Sequence, residues 1–117
     1  MLNLREFLIL KVTKEKNNIE LPPFWKFRQR KEALRNWKPL NWQQIGKTMS
    51  IQYPEVYKNR CSSLSEIQQL VLDDYNRIIT LELLNKVPFD QFKDIIYTVS
   101  NKGLEYINSN RNRFEKV

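Results

Sequence analysis

The sequence predicts a mainly α-helical single domain, built on three helices between residues 23 and 64 and extended by a further helix towards the C-terminus. Three observations point there. The chain has 117 residues, which is room for one domain. Apolar residues recur at helical spacing between Phe24 and Leu64, in three segments separated by prolines. Hydrophobic residues make up 41% of the chain and charged residues 28%, with three Trp, five Tyr and six Phe, which is the composition of a folded domain and not of a disordered one. With two Gly and no biased tract, low-complexity readings fail as well. The expected divisions are a core over 23–64, an extension over 65–108 and a polar tail over 109–117.

Taken in order, residues 2–12 contain the unbroken apolar run Phe7-Leu8-Ile9-Leu10, which suits a helix or a strand equally. Lys14 to Asn18 reads as a polar loop. Pro22 and Pro23 then break the chain ahead of a helix over about Phe24–Trp37. On it Phe24, Phe27, Leu34 and Trp37 suit one buried face, with Lys26, Arg30 and Lys31 turned away. The stripe Trp25, Trp37 and Trp42 is expected in the core.

Pro39 ends that helix, and Asn41 with Gln44 reads as a capping box opening the next. Trp42, Ile45 and Met49 share its inner face, and Gly46 implies close approach of another helix. A turn over Ser50–Tyr53 leads to Pro54, a good first residue for a third helix bearing Tyr57, Cys61 and Leu64 inward. Lys58, Asn59 and Ser62 point outward on it.

Beyond, Ser63-Leu64-Ser65-Glu66 is another capping pattern, and Ile67, Val71, Tyr75 and Ile78 continue a helical stripe. Ile79, Leu81 and Leu83 alternate with polar residues, and Ile95 to Val99 is rich in strand formers. Two readings stand for residues 77–100: a β-hairpin with its tip between Asn85 and Asp94, which is favoured, or a helix from Asp90 to about Gly103. Ser100 is placed to cap a last helix through Leu104 and Ile107.

The charge is unevenly distributed. The chain carries 20 basic and 13 acidic side chains, net +7. Residues 21–60 hold nine of the cations and only Glu32 and Glu55 as acids, so the whole excess sits in one third of the chain. Concentrated positive charge repels itself, and an anionic partner relieves the repulsion. Nucleic acid and an anionic membrane are the two common partners of such charge.

Other classes recede. Cys61 stands alone, so no internal disulfide exists and the residue reads as a small apolar side chain. No His is present, which removes histidine triads and His-bound metal. Asp73, Asp74, Asp90, Asp94 and Glu66 are available carboxylates without metal-site spacing, and no Gly-rich phosphate loop occurs. The chain is therefore expected to be no enzyme, to need no cofactor and to take no small-molecule substrate. No apolar run is long enough for a membrane span, and the N-terminal run lacks the flanks of a signal peptide. The expected location is intracellular, associated with DNA.

The second and third predicted helices would form a helix-turn-helix, in which one helix braces across phosphates and the next enters the major groove. Here the sequence resembles the Myb/SANT family over residues 25–64. Trp25, Trp42 and Cys61 stand at spacings similar to that family's three core aromatics. Asn41-Trp42-Gln43-Gln44-Ile45-Gly46 resembles its second-helix opening, and Val56-Tyr57-Lys58-Asn59-Arg60-Cys61 its recognition helix. The resemblance implies that Lys58 and Asn59 contact base edges. The chain departs from the family in its basic segment 26–31 and in Cys61, where an aromatic is usual. A competing resemblance covers Tyr97 to Ile107, which looks like the wing strand and closing helix of winged helix-turn-helix regulators. It implies a β-wing over 78–85 and 95–100, flanked by Lys86 and Lys93.

The sequence thus leads to a double-stranded DNA-binding protein, a sequence-specific regulator or a replication or maintenance factor. Lys58, Asn59 and Ser62 are its base-reading candidates; Lys26, Arg28, Arg30, Lys31, Arg35, Lys47, Arg60, Lys86 and Lys93 are its phosphate-binding candidates. A homodimer through residues 64–84 would double a small set of contacts. The rival readings are an interaction module whose basic face docks an acidic protein, and an RNA binder, which would need Trp25 or Trp37 accessible for stacking.

Overall fold

The computed structural model describes residues 2–87 and 95–114. Their order is α1 (Leu4–Asn17), α2 (Phe27–Asn36), α3 (Trp42–Gln52), a 3-10 turn (Pro54–Val56), α4 (Leu64–Thr80), β1 (Leu84–Lys86), β2 (Tyr97–Val99) and α5 (Asn101–Phe114). The mainly helical expectation holds at that level, with one small antiparallel sheet.

α1 is the centre of the molecule. Phe7, Leu8, Ile9, Leu10, Val12 and Thr13 are all buried, because α3, α4, α5 and β2 surround it. A helix covered on nearly every side needs no apolar period, which is why the run looked equally suited to a strand. Asn3 and Glu6 form a capping box at its start. The expected polar loop Lys14–Asn18 is corrected: helix continues to Asn17, and Asn18 is its C-cap. Both asparagines are structural. Asn17 exchanges hydrogen bonds with the backbone of Leu40 and donates to the Tyr97 carbonyl, at 2.8–2.9 Å. Asn18 accepts from the Val99 N–H at 2.7 Å and donates to its carbonyl at 3.1 Å, so its amide mimics a strand edge against β2.

α3 opens with the expected Asn41–Gln44 capping box and lays Ile45, Gly46 and Met49 inward, with Trp42 partly buried beside them. Its inner neighbour is α4, and Gly46 faces Val71. The expected third helix is corrected. Only Pro54–Val56 is helical, as a single 3-10 turn, and Tyr57–Arg60 are turn residues. Tyr57 is buried there, while Cys61 is half-buried and Leu64 exposed. Helix resumes where Ser63 accepts from the Glu66 N–H, and it carries Val71, Asp74, Tyr75 and Ile78 into the core. Val71, Tyr75 and Ile78 of the stripe thus face inward, where α4 packs against α1 and α3.

α4 runs to Thr80, so Ile79–Leu83 is not the alternating strand expected. The chain reverses at Glu82, a non-glycine residue at φ 63°. The favoured hairpin is present in shorter form: Leu84 pairs with Val99, Asn85 with Thr98 and Lys86 with Tyr97. Asn85 and Lys86, expected in the tip, are strand residues instead; the rest of the expected tip over 88–94, with Lys93 and the alternative helix start at Asp90, lies outside the described residues. Ser100 then caps α5 as expected, accepting from the Gly103 N–H at 3.0 Å. The polar tail is corrected for residues 109–114: α5 continues to Phe114, whose ring stacks on Phe7 at 4.5 Å.

Candidate nucleic-acid interface

The cations of residues 21–60 remain on the surface. Lys26, Arg28, Lys31, Arg35, Lys38, Lys47, Lys58 and Arg60 are exposed, and Arg30 is half-buried. The acids that do most in the core lie elsewhere. Asp74 takes a bidentate pair from Arg5 at 2.9 and 3.1 Å, and buried Glu6 takes Arg77 at 2.9 Å. The Asp74 bond holds the Arg5 guanidinium above its ordinary pKa. These pairs tie α1 to α4 and leave the basic segment without internal anions of comparable strength.

The candidates fall into two groups at opposite ends of α3. The first follows its C-terminus. Lys58, Asn59 and Arg60 project from the turn after the 3-10 segment, not from a helix, and Lys58 stands 4.0 Å from Glu55. Ser62 is engaged: its N–H and hydroxyl both donate to the Glu66 carboxylate, at 3.2 and 2.8 Å. Those bonds hold Glu66 below its ordinary pKa. Cys61, beside them, is pushed up by burial and by the nearby Glu66 charge, so it is a poor nucleophile.

The second group precedes the N-terminus of α3, about 16 Å away along an eleven-residue helix. Here the sequence expectation fails most plainly. α2 buries none of its residues. Phe24, Trp25 and Phe27, assigned to a core face, are 69%, 66% and 73% exposed. Trp37 is half-buried beside the hairpin, lining a cavity of about 540 Å³ with Leu21, Lys86 and Thr98. Residues 22–38 therefore form an arm carrying Lys26, Arg28, Arg30, Lys31, Arg35 and Lys38 against Glu32 alone. The Lys26 N–H donates to the Pro23 carbonyl at 2.9 Å, and Arg30 to Pro22 at 3.1 Å, which folds the proline segment back onto the helix start.

Lys47 lies exposed on α3 between the two groups, and Lys86 is exposed on β1 near the arm's end. Lys93 lies outside the described residues. The exposed aromatics are what sequence reasoning missed as a surface feature. The signal was present: α2 offers only Ala33 and Leu34 as aliphatic residues, too few to seat it on a core. Among the described residues no cluster of three Cys, Asp or Glu is arranged for a metal, and no helix is long and apolar enough to cross a membrane.

Comparison with protein-family models, with curated proteins and with solved structures finds no match for this chain.

Proposed function

We propose that this protein binds double-stranded DNA through the exposed basic face of residues 26–60. One observation carries the reading: nine cations in that stretch meet only two acids, eight of the nine are exposed, and Glu55 already faces Lys58. Releasing condensed counterions from DNA is the natural return on such a surface.

The winged helix-turn-helix reading is favoured over the Myb/SANT one. Its support is the order of elements: α3, a connection, α4, an antiparallel hairpin, then α5 capped at Ser100. In this arrangement α4 takes the place of the second helix of the pair. Lys58, Asn59 and Ser62 then act from the turn that leads into its N-terminus, the end of a recognition helix that approaches base edges. Arg60, in the same turn, and Lys47, exposed on α3, then hold phosphates. Lys86 belongs to the hairpin contact.

The test is selection of bound sequences from a random duplex pool, run with the native chain, Asn59→Ala and Arg28→Ala. The native chain should enrich a motif. Asn59→Ala should relax that motif at one position, at a cost of about 1–3 kcal/mol for a bidentate contact. Arg28→Ala should weaken all duplexes alike. A motif unchanged by Asn59→Ala would remove the base-reading role from this turn.

A further inference from the structure

The arm of residues 22–38 is not explained by duplex binding alone. A phosphate grip needs cations, yet three aromatic side chains here, Phe24, Trp25 and Phe27, are exposed as well. Along the chain they interleave with charge: Phe24, Trp25, Lys26, Phe27, Arg28. A single strand of nucleic acid presents the matching alternation, an open π-face and a phosphate at every nucleotide.

The backbone there is held in place. Pro22 and Pro23 restrict it, and the bonds from Lys26 to Pro23 and from Arg30 to Pro22 fix it against the start of α2. Phe24 meets Trp25 edge to face, centroids 5.5 Å apart and planes at 79°, leaving the indole two-thirds exposed. Less ordering is then required when a base stacks on it.

Other occupants fit less well. A second copy of the arm would bring two strongly cationic segments together, with Glu32 as the only acid on each. An anionic bilayer favours an amphipathic helix that carries its aromatics on one face of the helix itself. Here Phe24 and Trp25 precede a helix of ten residues.

We infer that residues 24–31 form a docking strip for single-stranded nucleic acid, in which Trp25 and Phe27 stack on bases and Lys26, Arg28 and Lys31 neutralise phosphates. The inference rests on the nucleic-acid reading above and adds an unpaired strand as the ligand of this arm.

The experiment measures binding of the full chain to labelled oligodeoxythymidylate and to a duplex of equal length, at one low salt concentration. Trp25→Ala and Trp25→Phe are compared with the native chain, their folding checked by thermal melting. Trp25→Ala should weaken oligodeoxythymidylate binding about tenfold or more, the usual value of one stacked base. Trp25→Phe should restore most of it, and duplex affinity should change less than about twofold on the same scale. Equal losses on both ligands, or no loss on the single strand, would overturn the inference and leave duplex binding standing. Failure of the native chain on both ligands would overturn both readings. Binding to phosphatidylglycerol vesicles that depends on Trp25, without oligodeoxythymidylate binding, would overturn the strip in favour of a membrane contact.

Discussion

Gly46 and Gly103 occupy opposite situations, although each sits within a helix. A Cβ on Gly46 would meet the Val71 side chain at 3.5–3.6 Å, an ordinary contact. Gly46→Ala should therefore stabilise the protein by about 0.5–1 kcal/mol, the helix preference of Ala over Gly. A Cβ on Gly103 would strike the Leu83 carbonyl and approach Val99 Cγ1 within 2.6 Å. Gly103→Ala should destabilise by about 1–3 kcal/mol through overpacking, because a backbone carbonyl does not move aside cheaply. Urea unfolding of the two variants gives both signs in one experiment. Close approach of a helix to Gly46 was legible in the sequence; the room left for a methyl group was not, since it depends on the rotation of α4.

The Arg5–Asp74 pair is the second residue-scale feature with a measurable consequence. Its side chains are only 14% and 7% exposed, so removing one partner strands the other in the core. Asp74→Ala should cost about 3–5 kcal/mol in unfolding free energy. Nothing in the local pattern announced the pair: 69 residues separate its members, and Asp74 neighbours Asp73, which stays exposed.

At the scale of elements, the outcomes sort by whether local signals sufficed. The openings of α3 and α5 were readable because a cap acts within four residues: Asn41 with Gln44, Ser100 with Gly103. α4 was half-readable, its stripe visible but its end displaced from Ile78 to Thr80. The segment after Pro54 misled because Tyr57 and Cys61 keep helical spacing while the chain runs in turns. Tyr57 reaches the core from the turn and needs no helix to do so. α2 misled in the reverse way: the helix forms, but none of its residues is buried, and of the face expected in the core Phe24 and Phe27 are exposed while Leu34 and Trp37 are half-buried. The candidate site was accordingly legible in its charge and not in its aromatics. Replacing Phe27 with Ser should leave stability within about 0.5 kcal/mol, as for an ordinary surface position. The same change at buried Phe7, stacked on Phe114, should be severely destabilising. Thermal melts of the two variants would separate them at once.

For the whole molecule, core and surface handle charge differently. The core pairs its ions, Arg5 with Asp74 and Glu6 with Arg77, and buries two phenols, Tyr57 and Tyr75, the latter hydrogen-bonded to Thr13. Burial pushes Tyr75 up to about 12, and pushes Tyr57 up as well, with the Asp74 charge adding to it. A phenol whose folded pKa lies above its unfolded value favours the neutral folded state. Its contribution is complete below pH about 10 and is lost as pH rises towards 12, because the unfolded chain then releases its proton first. Stability should fall by about 2–3 kcal/mol for Tyr75 over that window, and Tyr75→Phe should flatten the decline. Urea unfolding at a series of alkaline pH values reads it directly. The surface, in contrast, leaves its cations unpaired in number: nine against two over residues 21–60. The molecule is also extended for its length. Its radius of gyration is 15.2 Å, against about 13 Å for a compact chain of this size, as expected where an arm stands off the body.

If this uncompensated face meets the phosphates of DNA, as proposed, binding must weaken as salt rises. Affinity for a mixed-sequence duplex should be measured from low to moderate salt. Duplex binding through this face should give a linear fall of log affinity with log salt, with a slope of magnitude about 4 or more, near 0.9 for each phosphate neutralised. Substituting Arg28 and Lys31 together should reduce that slope by about 2. Absence of duplex binding at low salt, or binding whose slope is near zero, would contradict the proposal.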